Sequence, residues 1–114
     1  MGDRTLFEKI LDGDIPSEML HEDATCAAFL DINPQAPTHI LVVPRKPIPG
    51  ISAMTDDDEV VVGHLLNVAR QLAAELGFTN GFRLVINDGA DGGQEVPHLH
   101  VHLLAGRQMT WPPG

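Results

Sequence analysis

Six histidines occur in this 114-residue chain, and three of them stand at alternate positions in the run His98, Leu99, His100, Val101, His102, Leu103. Strict alternation on a strand puts three imidazoles on one face and apolar side chains on the other, with same-face neighbours ~7 Å apart. A merely solvated face would more naturally carry Thr, Lys or Glu, so the row reads as a reactive site. Two chemistries suit it. In one, neutral imidazoles ligate zinc, with His39 or Cys26 as a further ligand, but no nearby carboxylate stands out as a general base. In the other, the middle imidazole attacks phosphorus, which needs a neutral ring with one nitrogen free and the other held by a backbone acceptor. Its neighbours would donate to phosphate oxygens or the leaving group. Just upstream, Asp88, Gly89, Ala90, Asp91, Gly92 and Gly93 form a glycine-rich loop continuing into Gln94. Backbone N–H groups of Gly92, Gly93 and Gln94 would receive an anion there, which favours the second chemistry.

The elements that must position this row can be read from local patterns. Thr5 and Glu8 have capping-box spacing, and Leu6, Phe7, Ile10 and Leu11 share one helical face, so a short helix is expected to end near Gly13, before Pro16. Residues 18–21 and 26–30 read as strands of a hairpin around Glu22, Asp23 and Ala24. Residues 38–43, rich in β-branched side chains between Pro37 and Pro44, read as a strand of the same sheet. After a stiff connection with Pro44, Pro47, Pro49 and Gly50, Thr55 and the acids Asp56, Asp57, Asp58 and Glu59 mark a helix start. These acids are expected to cap and to be solvated, not to bind calcium. Val61, Leu65, Val68, Leu72 and Leu76, widened by Val62, Leu66, Ala69 and Ala73, give an apolar face to a helix of ~20 residues that Gly77 ends. Met54 and His64, in or beside it, read as packing or surface residues. Residues 82–87 form a further strand before the loop.

Seven Lys and Arg against sixteen Asp and Glu give a net charge of −9. With basic residues scattered singly apart from Arg45 and Lys46, wrapping of DNA or RNA is a poor hypothesis, and no nucleic-acid polymer is expected as a partner. The length suits one domain over residues 1–114. A single cysteine, Cys26, allows neither an internal disulfide nor a Cys-rich zinc site. No apolar run approaches the ~20 residues of a membrane span, and the first residues lack the basic start and apolar run of a signal peptide. A soluble cytoplasmic protein, with no membrane partner, is therefore expected.

The residues His98 to Leu104, alternating His with apolar positions and ending in two of them, resemble the signature of the histidine triad (HIT) proteins. The resemblance extends to the nucleotide-binding phosphoramidase branch. It runs through Asp31, Ile32, Asn33, Pro34, Gln35, Ala36, Pro37, Thr38 and His39, then Gly92, Gly93 and Gln94, and finally residues 106–114. It implies an α+β, HIT-like fold: a five-stranded, mainly antiparallel sheet with two helices, in a homodimer that pairs sheets. The implied activity is hydrolysis of purine nucleoside phosphoramidates or aminoacyl-adenylates through a nucleotidyl-histidine intermediate, releasing AMP or GMP without metal or diffusible cofactor. His100 would be the nucleophile, His98 and His39 would orient and support it, and His102 would hydrogen-bond the phosphate or leaving group. Asp31 would bind the ribose hydroxyls. Asn87, Gly93 and Gln94 would contact the phosphate side, with Val101 among the nucleotide contacts. Phe7, Ile10, Ile15, Phe29 and Ile32 would line the base and ribose pocket, and Trp111 would shape the partner subunit's leaving-group pocket. Glu95 stands where many relatives have a serine, which implies different handling of the leaving group, and Pro97 replaces an aromatic residue. Two alternatives stand behind this one: a nucleotide-binding regulator with vestigial catalysis, against which the intact His row speaks, and dinucleoside polyphosphate hydrolysis, which belongs to a sister branch and is disfavoured because Trp111, Pro112, Pro113 and Gly114 resemble the phosphoramidase branch.

Overall fold

The computed structural model describes residues 4–114. Thr5 caps helix α1 (Leu6–Leu11) as its spacing predicts: its hydroxyl accepts the Glu8 N–H at 3.1 Å, and the Glu8 carboxylate accepts the Thr5 N–H at 3.0 Å. The hairpin follows as β1 (Met19–Glu22) and β2 (Cys26–Leu30), and the proline-bracketed segment is β3 (Thr38–Pro44). Helix α2 (Glu59–Glu75), β4 (Arg83–Val85) and β5 (Val101–Ala105) complete one five-stranded sheet in the order β1-β2-β3-β5-β4, with every neighbouring pair antiparallel.

Two-residue periodicity sorts the side chains onto two faces. Cys26 and Ala28 of β2, Ile40 and Val42 of β3, and Val101 and Leu103 of β5 pack with Val62, Leu65, Val68, Ala69 and Leu72 of α2. On the opposite face Phe29, Leu41 and Val43 meet Phe7 and Ile10 of α1. His39 shares the face of Leu41, and His102 stands opposite Leu41 in the β3–β5 ladder. The imidazoles are thereby separated from the α2 core.

Four expectations shift. The β5 ladder begins at Val101, so His98, Leu99 and His100 precede it in a bent segment after Pro97, and β4 is three residues long. Helix α2 begins at Glu59, after a 3₁₀ turn over Asp56–Asp58. Of the acids read as solvated, Asp58 is buried: its carboxylate accepts the Thr55 N–H at 2.9 Å and pairs with the Lys46 ammonium at 2.5 Å. A buried carboxylate keeps its charge when it is paired and hydrogen-bonded in this way.

Within α2, Leu65 is fully buried against the sheet while its neighbour Leu66 is 40% exposed. Leu65→Ala should lower the unfolding free energy by about 3 kcal/mol, and Leu66→Ala by less than about 1 kcal/mol, in urea titrations followed by circular dichroism. Equal losses would mean that α2 is not seated through this stripe.

Candidate active site

His98 is fully buried and both ring nitrogens are engaged. Its Nε2–H donates to the Pro44 carbonyl at 2.8 Å, so Nδ1 is the acceptor, and it takes the Thr5 hydroxyl proton at 3.1 Å. The cap of α1 thus reaches across 93 positions to fix the first histidine of the row. The carbonyl of His98 then accepts the Nδ1–H of His100 at 2.7 Å. A carbonyl can only accept, so the lone pair of His100 is on Nε2. Phe7 packs edge-on against this ring, with centroids 4.8 Å apart.

A second chain of hydrogen bonds sets the third histidine. The backbone N–H of Gln35 donates to His39 Nδ1 at 3.0 Å, which puts the His39 proton on Nε2, 2.9 Å from His102 Nδ1. His102 accepts there and carries its own proton on Nε2. The Asp31 carboxylate lies 3.4 Å from His39 Nε2. Burial lowers the pKa of all three rings below the ordinary histidine value, although Asp31 opposes the shift. For His102, burial acts together with its neighbours His100 and His39, and the result is about 4. All three are neutral at pH 7. One offers a lone pair and another an N–H, with ring centroids 4.9 Å apart.

Both rings open on a cavity of about 430 Å³ between α1, β2, β3 and the glycine loop. Phe7, Ile10 and Phe29 form its apolar wall from the core, Ile15 adds to it, and Ile32, 92% exposed, stands at the rim. Asp31, His39, Asn87, Gly93 and Glu95, with Ser17, Asn33 and Gln35, supply the polar lining beside the two imidazoles, and no Lys or Arg is among the described lining residues. Asn87 donates one N–H to the Gly92 carbonyl at 2.7 Å and has a second to offer. Gly92 has no room for a side chain, since a Cβ would sit 2.3 Å from the Asp88 carbonyl oxygen.

Four of the residues singled out in the sequence lie outside this lining. His98 is behind it, acting through its carbonyl. Val101 is buried on the α2 face, because alternation turns it away from His100 and His102. Trp111 is 82% exposed on its own chain. Gln94 binds the loop together: its backbone N–H goes to the Gly89 carbonyl, its side-chain oxygen accepts the Gly89 N–H, and its side-chain nitrogen donates to the Pro49 and Val96 carbonyls. The Gly93 N–H is likewise committed, to the Ala90 carbonyl. The loop therefore does not present the Gly93 and Gln94 amides as anion donors. The zinc alternative changes too, since Cys26 is on the α2 face and cannot join His39 and the row in one coordination shell. Sequence reasoning missed Thr5 as a partner of His98 and the Gln35 amide as the group that sets His39. The first lay hidden in a capping box and the second in a backbone atom.

The family model for the HIT domain matches residues 12–109. An uncharacterized HIT-like protein of Synechocystis is 52% identical over 114 residues, covering all of both chains. The maize 14 kDa zinc-binding protein is 49% identical over 112 residues, 96% of this chain and 88% of that one. Among solved structures, a HIT family hydrolase from Legionella pneumophila superposes with a TM-score of 0.94 at 50% identity, covering 97% of this chain and 100% of the other. The histidine triad nucleotide-binding protein of Candida albicans superposes with a TM-score of 0.81 at 30% identity, covering 96% and 83%. The five-stranded sheet, the two helices and the histidine row agree with these matches: the chain belongs to the HIT domain family.

Proposed function

We propose that the protein hydrolyses purine nucleoside phosphoramidates and aminoacyl-adenylates, releasing AMP or GMP. The observation that carries this reading is the pair of opposed tautomers in one cavity: His100, with Nδ1–H bound to the His98 carbonyl and Nε2 free to attack, beside His102, with Nε2–H free to donate. Attack by His100 Nε2 on phosphorus forms the P–Nε2 bond as the P–N or acyl P–O bond breaks. A leaving amine departs with a proton from solvent. Water then attacks the nucleotidyl-histidine, the P–Nε2 electron pair returns to the ring, and one proton returns to solvent. Through both steps His102 Nε2–H bonds a phosphoryl oxygen or the leaving atom, and Asn87 bonds the phosphate edge. Asp31 accepts the ribose hydroxyls, and the base lies against Phe7, Ile10, Ile15, Phe29 and Ile32. Glu95, exposed at the cavity edge, suits a cationic amine leaving group. Metal and cofactor have no part in these steps. The names of the Legionella hydrolase and the Candida nucleotide-binding protein support the same reading. A homodimer in which Trp111 reaches the partner subunit's cavity completes the proposal, with the cytoplasm as its place of action.

His100→Ala should lower kcat on an AMP phosphoramidate by roughly 10³-fold or more while nucleotide affinity, read by calorimetry, is retained. A near-normal rate in this variant, with activity abolished in His98 or His102 variants, would remove His100 as the nucleophile.

The acid side of the pH profile follows from the lowered imidazoles. Protonation would take the lone pair from His100, and folding holds that proton off until the medium is more acid than the ordinary histidine value. Accordingly the acid half-loss of kcat/KM should come only below pH ~6.5. Half-loss at or above that value would show that the catalytic rings are not desolvated.

Trp111→Ala should alter the ratio of kcat/KM between two phosphoramidates that differ only in their amine, with the dimer intact by sedimentation. An unchanged ratio with a lowered Tm would assign Trp111 to packing alone.

A further inference from the structure

On the α2 side of the sheet, away from the histidine row, four potential metal ligands converge from three elements and the hairpin turn. His21 lies on β1, Asp23 in the turn, Cys26 at the start of β2 and His64 on α2. The Nε2 atoms of His21 and His64 each lie 2.7 Å from the same oxygen of Asp23, Oδ2, and the Cys26 thiol is 3.7 Å from that oxygen. One donor atom from each of the four residues falls within 4.8 Å of the others. In a tetrahedral zinc shell with bonds of ~2.0–2.3 Å, ligand atoms stand roughly 3.3–3.7 Å apart, so the cluster is within small side-chain rotations of that geometry. The turn is already rigid: Asp23 Oδ1 accepts the Thr25 and Cys26 N–H groups at 2.8 Å each, leaving Oδ2 as the oxygen aimed at the two imidazoles and the thiol.

We propose that His21, Asp23, Cys26 and His64 form a closed structural site for zinc that ties the β1–β2 hairpin to α2.

The chemistry of the donor set suits such an ion. Two neutral imidazole nitrogens, one thiolate and one carboxylate are ligands zinc accepts, and the two negative ligands balance its charge. On binding, the imidazoles present lone pairs at Nε2 with their protons on Nδ1, and the thiol proton is released to solvent. Without a cation the buried thiol stays protonated, because burial and the adjacent Asp23 push its pKa up to about 12. A dication at that point turns the repulsion between sulfur and carboxylate into shared attraction. Four protein ligands leave no open position for a reacting water, so the role is structural. Cys26 is fully buried, while His21, Asp23 and His64 keep about a third of their side-chain surface, which gives the ion a path from solvent. The site shares no residue with the cavity, and the proposal does not rest on the function proposed for the histidine row.

The test is a cobalt(II) titration of the full chain, stripped of metals and kept reduced with a phosphine. One equivalent should give a saturating thiolate-to-cobalt charge-transfer band in the near ultraviolet and strong tetrahedral bands in the visible, both displaced by zinc, and zinc should raise Tm. Cys26→Ser should lose the charge-transfer band. His64→Asn, at a half-exposed helix position that the fold tolerates, should lose saturable binding. His102→Ala should keep both signals. Binding that survives in Cys26→Ser and His64→Asn but disappears in His102→Ala would place the ion on Asp31, His39 and His102 and overturn the proposal. No saturable binding in the folded wild-type chain would overturn it as well.

Discussion

The hydrogen bond from His100 Nδ1 to the carbonyl of His98 is the interaction on which the site depends, because it alone decides which nitrogen of His100 faces the cavity. For that bond to exist, the carbonyl must be free of the sheet. It is free because the chain leaves the ladder before Val101: Pro97 has no N–H to pair, the His98 N–H turns back to the Val96 carbonyl, and the Leu99 N–H goes to Ile48. The interruption that shortens β5 supplies the acceptor. His98 can remain in that bend because its ring is clamped at both nitrogens, by Pro44 on one side and by Thr5 on the other. The short helix α1 therefore does more than cover the sheet, since its capping threonine fixes the frame of His100, the nucleophile of the proposed reaction.

Local rules made much of this visible beforehand. Cap spacing located α1, proline brackets located β3, and alternation put His100 and His102 on the face opposite Leu103. Each of these depends on neighbours within a few positions, which is what a sequence displays directly. The missing pieces are contacts between distant positions or through the backbone. Nothing near Thr5 announces His98, and nothing near Gln94 shows that its amide and carboxamide close the glycine loop in place of facing phosphate. Asp58 looked like one more solvated acid because its partner, Lys46, lies on the far side of the proline connection. His64, on the stripe edge of α2, reads from sequence as a packing or surface residue, and only the hairpin turn brings Asp23 to its ring.

Neutrality is the second property that the fold imposes on the site. The chain carries a net charge of −9, and the cavity is lined by Asp31 and Glu95 with no Lys or Arg among its described residues. In the proposed reaction an anionic phosphate there is held by uncharged N–H donors, chiefly His102 Nε2 and the Asn87 carboxamide. Burial keeps His102 uncharged, with its pKa at about 4, so among the described lining residues no fixed positive charge faces the phosphate of the proposed substrate. For the proposed reaction this arrangement has a kinetic advantage. Donors fixed by the Gln35–His39–His102 chain cost no reorganisation when charge builds on the phosphoryl oxygens, and their hydrogen bonds gain strength as that charge grows. Binding energy is then expressed more in the transition state than in the bound nucleotide, and a product anion beside two carboxylates is released readily.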